Sequence, residues 1–163
     1  MATSHGPDLS QARKAVERLM DDRCQIYRYP ATADQDTMDP ATGVLTTTAR
    51  TMIYPTQAMI DDPDDDAVTD GPCQFRNVGE GFTTTQTKLQ GGDPQTYRMY
   101  NMRAPINKCP PLREGDEVVC ISSRRDPDLP DVVFTIRESM KSSFAISRKI
   151  LVEEQPARRL VGQ

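Results

Sequence analysis

The sequence predicts a mainly β protein, a small barrel or sandwich of six to seven strands with a short N-terminal helix and long extended loops. The strongest observation is a row of three β-type runs near the C-terminus, at residues 117–121, 132–136 and 145–152. Two turn signals frame these runs, because Gly115-Asp116 opens the first and residues 126–130, Asp-Pro-Asp-Leu-Pro, separate it from the second. Short strands divided by such turns are typical of barrels and sandwiches.

Composition indicates one soluble domain with arms. The 163 residues suit a single domain, since domains commonly have about 100–150 residues. A net charge of −4 argues against a general nucleic-acid binder, which would carry a basic face, although acidic groups that line a passage would repel phosphates and let DNA slide. The longest apolar runs fall short of the roughly 20 residues that cross a bilayer, and residues 1–5 do not resemble a signal peptide. We therefore expect a protein made in the cytoplasm, without a membrane partner.

The first predicted element is an amphipathic helix over about residues 9–21. Asp8 and Gln11 have the spacing of a capping box. Apolar residues then recur at helical spacing and charged residues occupy the other face: Leu9, Ala12, Ala15, Val16, Leu19 and Met20 against Arg13, Lys14, Glu17 and Arg18. One stripe must pack on the body of the protein or on a neighbouring subunit.

Alternation predicts further strands before the C-terminal block. Residues 24–29 alternate as a strand, and the turn at residues 39–43 leads to a return strand at Val44 and Leu45, which predicts a wide hairpin from Ile26 to Leu45. Two more short strands are predicted at residues 71–76 and 97–103. The predicted organisation is a flexible N-terminus over 1–7, one barrel domain over 8–154 with long insertions at about 46–71 and 77–95, and an extended tail over 155–163.

Candidate catalytic chemistry is weak throughout the chain. The only histidine, His5, lies near the N-terminus, so a nucleophile would have no histidine base held in a cleft. The four cysteines match neither a zinc spacing nor a redox pair, and we expect buried, reduced thiols. The acidic run fits the first positions of a calcium loop at Asp62, Asp64 and Asp66, but Ala67 stands where the loop needs glycine. We expect no cofactor, no metal site and no catalytic residue.

The order of short motifs resembles the head-closure proteins, also called head-to-tail stoppers, of long-tailed phages of actinobacterial hosts. The resemblance covers most of residues 9–154 and rests on order and spacing rather than on any single motif. The motifs are, in sequence order, Val16-Glu17-Arg18-Leu19-Met20, Cys24-Gln25-Ile26-Tyr27-Arg28, Asp39-Pro40-Ala41-Thr42-Gly43, Gly71-Pro72-Cys73-Gln74-Phe75-Arg76, Gly115-Asp116-Glu117-Val118-Val119, Asp126-Pro127-Asp128-Leu129 and Arg148-Lys149-Ile150-Leu151-Val152-Glu153.

This resemblance implies a β-barrel structural protein of the virion neck, assembled in the host cytoplasm. Such proteins form a homo-oligomeric ring between the portal-bound adaptor and the tail terminator, and they close a channel that holds genomic double-stranded DNA without reading its sequence. Six copies would match a hexameric tail and are the preferred number, while twelve would match a portal. A long loop between early strands projects into the channel in these proteins, and the matching stretch here is about residues 34–71.

Candidate functional residues follow from charge and from this resemblance. The candidate channel or gating residues are Asp34, Asp36, Asp61, Asp62, Asp64, Asp65 and Asp66. The candidate inter-subunit contacts are Arg13, Arg18, Arg124, Arg125, Arg158 and Arg159, although surface ion pairs are the default role of such residues. Two alternatives stay open: a tail terminator or head-tail adaptor of the same neck, and, from a different class, a small ligand-binding or hydrolytic barrel that uses the acidic loop.

Overall fold

A computed structural model describes residues 8–30, 37–38, 45–46, 50–62, 69–77, 86–90, 93–140 and 145–159. Two short helices and eleven strands lie in these residues. In chain order they are α1 (Ser10–Glu17), β1 (Asp22–Arg28), β2 (Thr37–Met38), β3 (Leu45–Thr46), β4 (Thr51–Tyr54), α2 (Gln57–Ile60), β5 (Gly71–Asn77), β6 (Gln86–Gln90), β7 (Asp93–Tyr97), β8 (Met99–Ala104), β9 (Glu117–Ser122), β10 (Val132–Met140) and β11 (Arg148–Arg159).

Six of the strands close into a barrel, which confirms the predicted fold class. The order around the barrel is β1-β5-β8-β11-β10-β9, and β9 returns to pair with β1. All these pairings are antiparallel. The seventh strand, β4, pairs with the second half of β1, while β5 pairs with the first half. Closure leaves the barrel itself without an open edge, since every strand is paired on both sides.

The inside of the barrel is filled with apolar side chains. Alternate residues of β1 point inward, among them Cys24 and Ile26, as its period of two requires. Phe134 of β10 is fully buried and packs between two other rings: its centroid lies 5.1 Å from that of Phe75 and 5.4 Å from that of Tyr100. A six-stranded barrel with these side chains inside is a packed core and contains no passage of its own.

The two turns predicted from the sequence, before β9 and between β9 and β10, are present in the structure. Gly115 has φ +89°, a conformation that favours glycine, and its N–H donates to the carbonyl of Ile136 at 2.9 Å. After β9, Asp126 accepts the N–H of Asp128 on its side chain at 3.0 Å, and Asp131 adopts φ 66° before β10 begins. These two turns set the β9 and β10 pairing that the C-terminal runs indicated.

The wide hairpin from Ile26 to Leu45 is wrong. The strand that returns alongside β1 is β4, with Ile26 opposite Tyr54, whereas β3 pairs only with β2. Both insertions contain secondary structure, since β4 and α2 lie in the first and the β6–β7 hairpin lies in the second. At the C-terminus, β11 extends to Arg159, so residues 155–159 of the predicted tail are part of a strand.

Helix α1 is shorter than predicted and begins without a capping box. Leu9 is the N-cap residue, and the backbone N–H of Ser10 donates to Oδ1 of Asp8 at 2.9 Å. This backbone hydrogen bond lowers the pKa of Asp8. The Asp8 side chain therefore satisfies one free N–H at the start of the helix, but Gln11 takes no reciprocal part.

Candidate functional site

The acidic segment, residues 61–68, lies between two stretches of described residues that contact the barrel wall. Before it, Tyr54 is fully buried and its hydroxyl donates to the carbonyl of Pro72 at 2.7 Å. Gly71 faces the same ring: a Cβ added there would lie 2.3 Å from the Tyr54 Cε1 atom. Only glycine permits this approach, so Tyr54 and Gly71 join the strand before the segment to the strand after it.

Further contacts fix both bases of the acidic segment. On the first side, Met59 of α2 is buried and Gln57 donates to Asp61 Oδ1 at 2.8 Å. On the second side, Arg23 of β1 lies 2.6 Å from Asp70 through Nε and donates to the Asp70 carbonyl at 2.9 Å through Nη2. Asp70, shortly after the segment, is thus held on β1, and the buried Met59 anchors the chain before it.

The structure describes two of the seven candidate channel residues. Asp61 and Asp62 are exposed at the end of α2. The remaining candidates, Asp34, Asp36, Asp64, Asp65 and Asp66, lie outside the described residues. The channel role of all seven stays a prediction.

Three further arginine–carboxylate pairs lie on the barrel wall, and sequence reasoning did not find them. Arg28 binds Asp116 through two bonds, of 2.9 and 2.7 Å, and the hydrogen bond raises the pKa of Arg28. Arg137 binds the buried Glu153 in the same two-bonded way at 2.7 and 2.9 Å. The partners in the first pair are 88 residues apart, so no local pattern in the sequence could have indicated it.

The third pair ties the chain before β4 to the start of β9. Arg50 Nη1 lies 2.9 Å from Oε2 of Glu117, and the Tyr29 hydroxyl donates to the same oxygen at 3.0 Å. The Arg50 guanidinium also stacks on Tyr27, 4.1 Å from the ring centroid. Because Glu117 is buried, this cluster fixes the position along β1 at which β4 pairs with it.

Helix α1 lies on the barrel through its polar residues. Arg13 donates from Nε to the carbonyl of Ala145 at 3.3 Å, and one turn later Glu17 pairs with Lys108 at 2.7 Å. Ala12, Ala15 and Leu19 are exposed, and Leu19 keeps 61% of its surface. Met20 is buried and Leu9 and Val16 are half-buried, so three of the six residues of the predicted apolar stripe remain exposed while two charged residues bond to the body of the protein.

The candidate inter-subunit arginines differ in their surroundings. Arg13 is half-buried and bonds within its own chain, through Ala145 and also through Oδ1 of Asn107 at 3.4 Å. Arg18, Arg124 and Arg125 are exposed, and Arg125 lies 3.2 Å from Asp21. Arg158 and Arg159 are the last residues of β11. Their role as contacts between subunits is not tested by these positions.

The four cysteines are buried and free, which confirms the prediction of reduced thiols. They also converge, because Cys24 influences the titration of Cys73, Cys109 and Cys120. Burial raises the pKa of Cys109 and of Cys120 to about 12, and it raises the pKa of Cys73 as well. These groups are protonated thiols at neutral pH and poor nucleophiles.

The raised thiol pKa values predict alkali sensitivity. The folded state holds these protons more tightly than the unfolded state, so the resulting stabilisation is complete below about pH 9 and is lost as the pH rises toward 12. We expect iodoacetamide to leave the folded protein unmodified at pH 8 and to alkylate all four thiols in guanidinium. Mass spectrometry checks this, and rapid labelling of Cys109 or Cys120 in the folded protein would contradict it.

A small open pocket lies where β1 begins. Its volume is about 230 Å³, and its lining includes Asp22, Ser123, Arg125 and Asp126. Asp22 is already bonded, since its carboxylate accepts the N–H of Phe75 at 2.8 Å and the hydroxyl of Ser123 at 2.7 Å. Pockets for drug-sized ligands usually measure about 300–1,000 Å³ and are mainly apolar, so this pocket indicates no particular ligand.

Neither a metal centre nor a membrane helix is found in the part of the chain that the structure describes. No three histidine, cysteine, aspartate or glutamate side chains there are grouped so that they could hold an ion. Neither α1 nor α2 is long and apolar enough to cross a bilayer.

Comparison with known protein families shows which family the chain belongs to. Its sequence matches the family of unknown function DUF6093 over residues 12–153. The chain belongs to this family. The match includes α1, the whole first insertion and nearly all of the barrel, so the features described above belong to the family's own region.

Other comparisons give one distant structure and no curated relative. No curated protein matches the chain. Among solved structures, the phage-like element PBSX protein xkdH from Bacillus subtilis is similar at 15% identity and a TM-score of 0.37, over 82% of this chain and 93% of that one. Proteins this different need not share a function.

Proposed function

We propose that this protein is a structural component of a phage virion, a head-to-tail stopper that forms a ring in the neck and closes the DNA channel. The observation that carries the proposal is that Tyr54 and Asp70, on either side of the acidic segment, are tied to the wall of a closed barrel while Asp61 and Asp62 are exposed. This arrangement suits a loop that projects from a rigid body. The motif order that resembles stoppers supports the same function.

The filled barrel supports a channel formed between copies rather than within one. The interior holds Ile26, Met102, Phe134 and Ile136, each fully buried. A DNA duplex, whose major groove alone is about 12 Å wide, cannot enter such a barrel. A channel protein with this core must therefore surround DNA as a ring of several subunits, and head-to-tail contacts that close on themselves give such a ring.

Charge supports a lumen that does not hold DNA tightly. The segment between Arg50 and Arg76 contains six aspartates and no lysine, arginine or histidine. Fixed carboxylates beside the axis repel phosphates, so packaged DNA could be retained by a physical block and later slide through. We propose that the protein acts through its shape, without enzymatic activity or a cofactor. Its proposed partners are the adaptor and the tail terminator, and its proposed location is the virion neck.

The low helix content of the described residues also favours a stopper over an adaptor. Adaptors of such necks are mostly helical, whereas helices here account for only α1 and α2 among the described residues. A tail terminator remains the nearest alternative, because it too would form a ring against the tail. Binding to the portal-bound adaptor separates the two, since a stopper contacts the adaptor and a terminator contacts the tail tube.

Reconstitution tests the proposed function. Purified full-length protein is mixed with portal-adaptor complexes or with isolated tails, and co-sedimentation and negative-stain images are recorded. We expect a ring on the adaptor that also accepts the tail. A free monomer that binds neither component would contradict the proposal, and binding to tails alone would favour the terminator.

A further inference from the structure

Two exposed surfaces of the protomer have opposite chemical character. The first, the α1 face, consists of Ala12, Lys14, Ala15, Arg18 and Leu19, all of which are exposed. The second, the acidic face, consists of Gln57, Ala58, Asp61 and Asp62 at α2, which are also exposed. We propose that the α1 face of one copy docks on the acidic face of the next copy.

The exposed side of α1 is the first argument for this contact. Arg13 and Glu17 are turned toward the barrel, where they bond to Ala145 and Lys108, so these bonds fix the orientation of α1. Leu19 remains 61% exposed at the end of the apolar stripe. Covering this side chain removes apolar surface from water, which favours association.

Charge complementarity indicates that the partner of the α1 face is a second copy of this chain. Lys14 and Arg18 lie one turn apart, next to the exposed Ala15 and Leu19, and on the other surface the exposed Asp61 and Asp62 follow Ala58 by three and four residues. The small side chain of Ala58 leaves Leu19 room to approach while the basic residues meet the acidic ones. DNA is a poorer occupant of the α1 face, because duplex binding relies on many phosphate contacts and this face offers two cations around an apolar centre.

The two surfaces differ, so the contact is head-to-tail. Each copy keeps one unused α1 face and one unused acidic face after the first contact, and the contact repeats until the assembly closes. This inference rests on the proposed function, because it names the interface by which the ring would form. It also places the base of the acidic segment at a subunit boundary.

Thiol cross-linking of the full-length chain tests the contact. Ala15→Cys and Ala58→Cys are introduced together, and a short bis-maleimide is added at pH 7. Both sites are exposed, whereas the four native thiols are buried and do not compete. We expect a ladder of covalent multimers beyond the dimer, because each copy carries half of the pair on each surface. The control pair, Ala15→Cys with the exposed Glu138→Cys on β10, should give no ladder.

Charge exchange gives a second, independent readout. Lys14→Glu with Arg18→Glu should weaken self-association about tenfold, and Asp61→Lys with Asp62→Lys should do the same. Combining the four substitutions should restore assembly. Reversing the same amount of charge at Arg113 and Lys149, which are exposed elsewhere, is the matched control and should have little effect.

The outcomes separate this inference from the proposed function. If wild-type rings form on the adaptor but the cysteine pair gives no ladder and the charge variants assemble normally, the interface is wrong and the stopper proposal stands. If wild-type protein forms no ring and binds neither neck component, the stopper proposal fails and this interface fails with it. A ladder together with restored assembly in the exchanged variant supports both.

Discussion

Phe134→Ala should lower the free energy of unfolding by about 3–5 kcal/mol. Phe134 is fully buried at the centre of the barrel, stacked on Phe75 and edge-on to Tyr100, so its removal leaves a cavity that two rigid rings cannot fill. Urea unfolding followed by circular dichroism measures the effect. The proposed ring would need this core, because the segments that leave the barrel take their positions from a rigid wall.

Phe134→Leu is the matched control for that prediction. Leucine retains most of the buried apolar volume, so the loss should be clearly smaller than for alanine. An exposed replacement on β11, Lys149→Ala, should change stability by no more than about 0.5 kcal/mol. If Phe134→Ala were no more destabilising than Lys149→Ala, the packed barrel interior described here would be incorrect.

Gly71→Ala should destabilise the protein by about 3 kcal/mol, at the upper end of the range for overpacking. The new Cβ would lie 2.3 Å from Tyr54 Cε1 and 2.7 Å from the Tyr54 hydroxyl oxygen. The ring cannot easily move away, because it is fully buried and bonded to the carbonyl of Pro72. Thermal and urea unfolding of the purified variant measure the loss.

A double-mutant cycle identifies the cause of that loss. In a Tyr54→Ala background the clash partner is absent, so Gly71→Ala should have little further effect. Gly115→Ala serves as the comparison, because Gly115 has φ +89° and open space around it. Its strain, roughly 1–2 kcal/mol, should remain unchanged when Tyr54 is replaced. Additive effects of Gly71→Ala and Tyr54→Ala would contradict the proposed junction at the base of the acidic segment.

The C-terminal half of the fold was predictable because its signals are local. Residues 117–121 and 132–136 are apolar runs that end at turns, and those turns require Gly115 and a residue such as Asp131 at positive φ. A strand of this kind can be recognised from its own sequence, without knowing which strand pairs with it. The alternation in β1 was informative for the same reason, since every second residue from Asp22 to Ile26 is buried.

The first insertion was harder to predict because its structure depends on partners far along the chain. Strand β4 has four residues and only Tyr54 is buried, so it has no period of its own to recognise. Its position follows from pairing with Ile26 and from the contact between Tyr54 and Gly71. The sequence instead offered Val44 and Leu45, which look more like a return strand; Leu45 pairs with Met38 of β2, and Val44 lies outside the described residues.

The candidate site was predictable in charge but not in geometry. The aspartate run is visible in the sequence, and so are the basic residues of α1. The sequence has 20 basic and 24 acidic residues, so the pairs Arg23–Asp70 and Arg28–Asp116 could not be predicted without knowing the strand register. Helical spacing likewise predicted α1 but left open which of its faces would contact the barrel.

A cryo-electron microscopy map of the neck of virions that contain this protein tests the central claim most directly. We predict a ring of filled barrels between the portal-bound adaptor and the tail, with α1 of each copy against α2 of its neighbour and the acidic segments nearest the DNA axis. A map that placed the chain outside the neck, or as isolated copies that enclose no channel, would contradict the account.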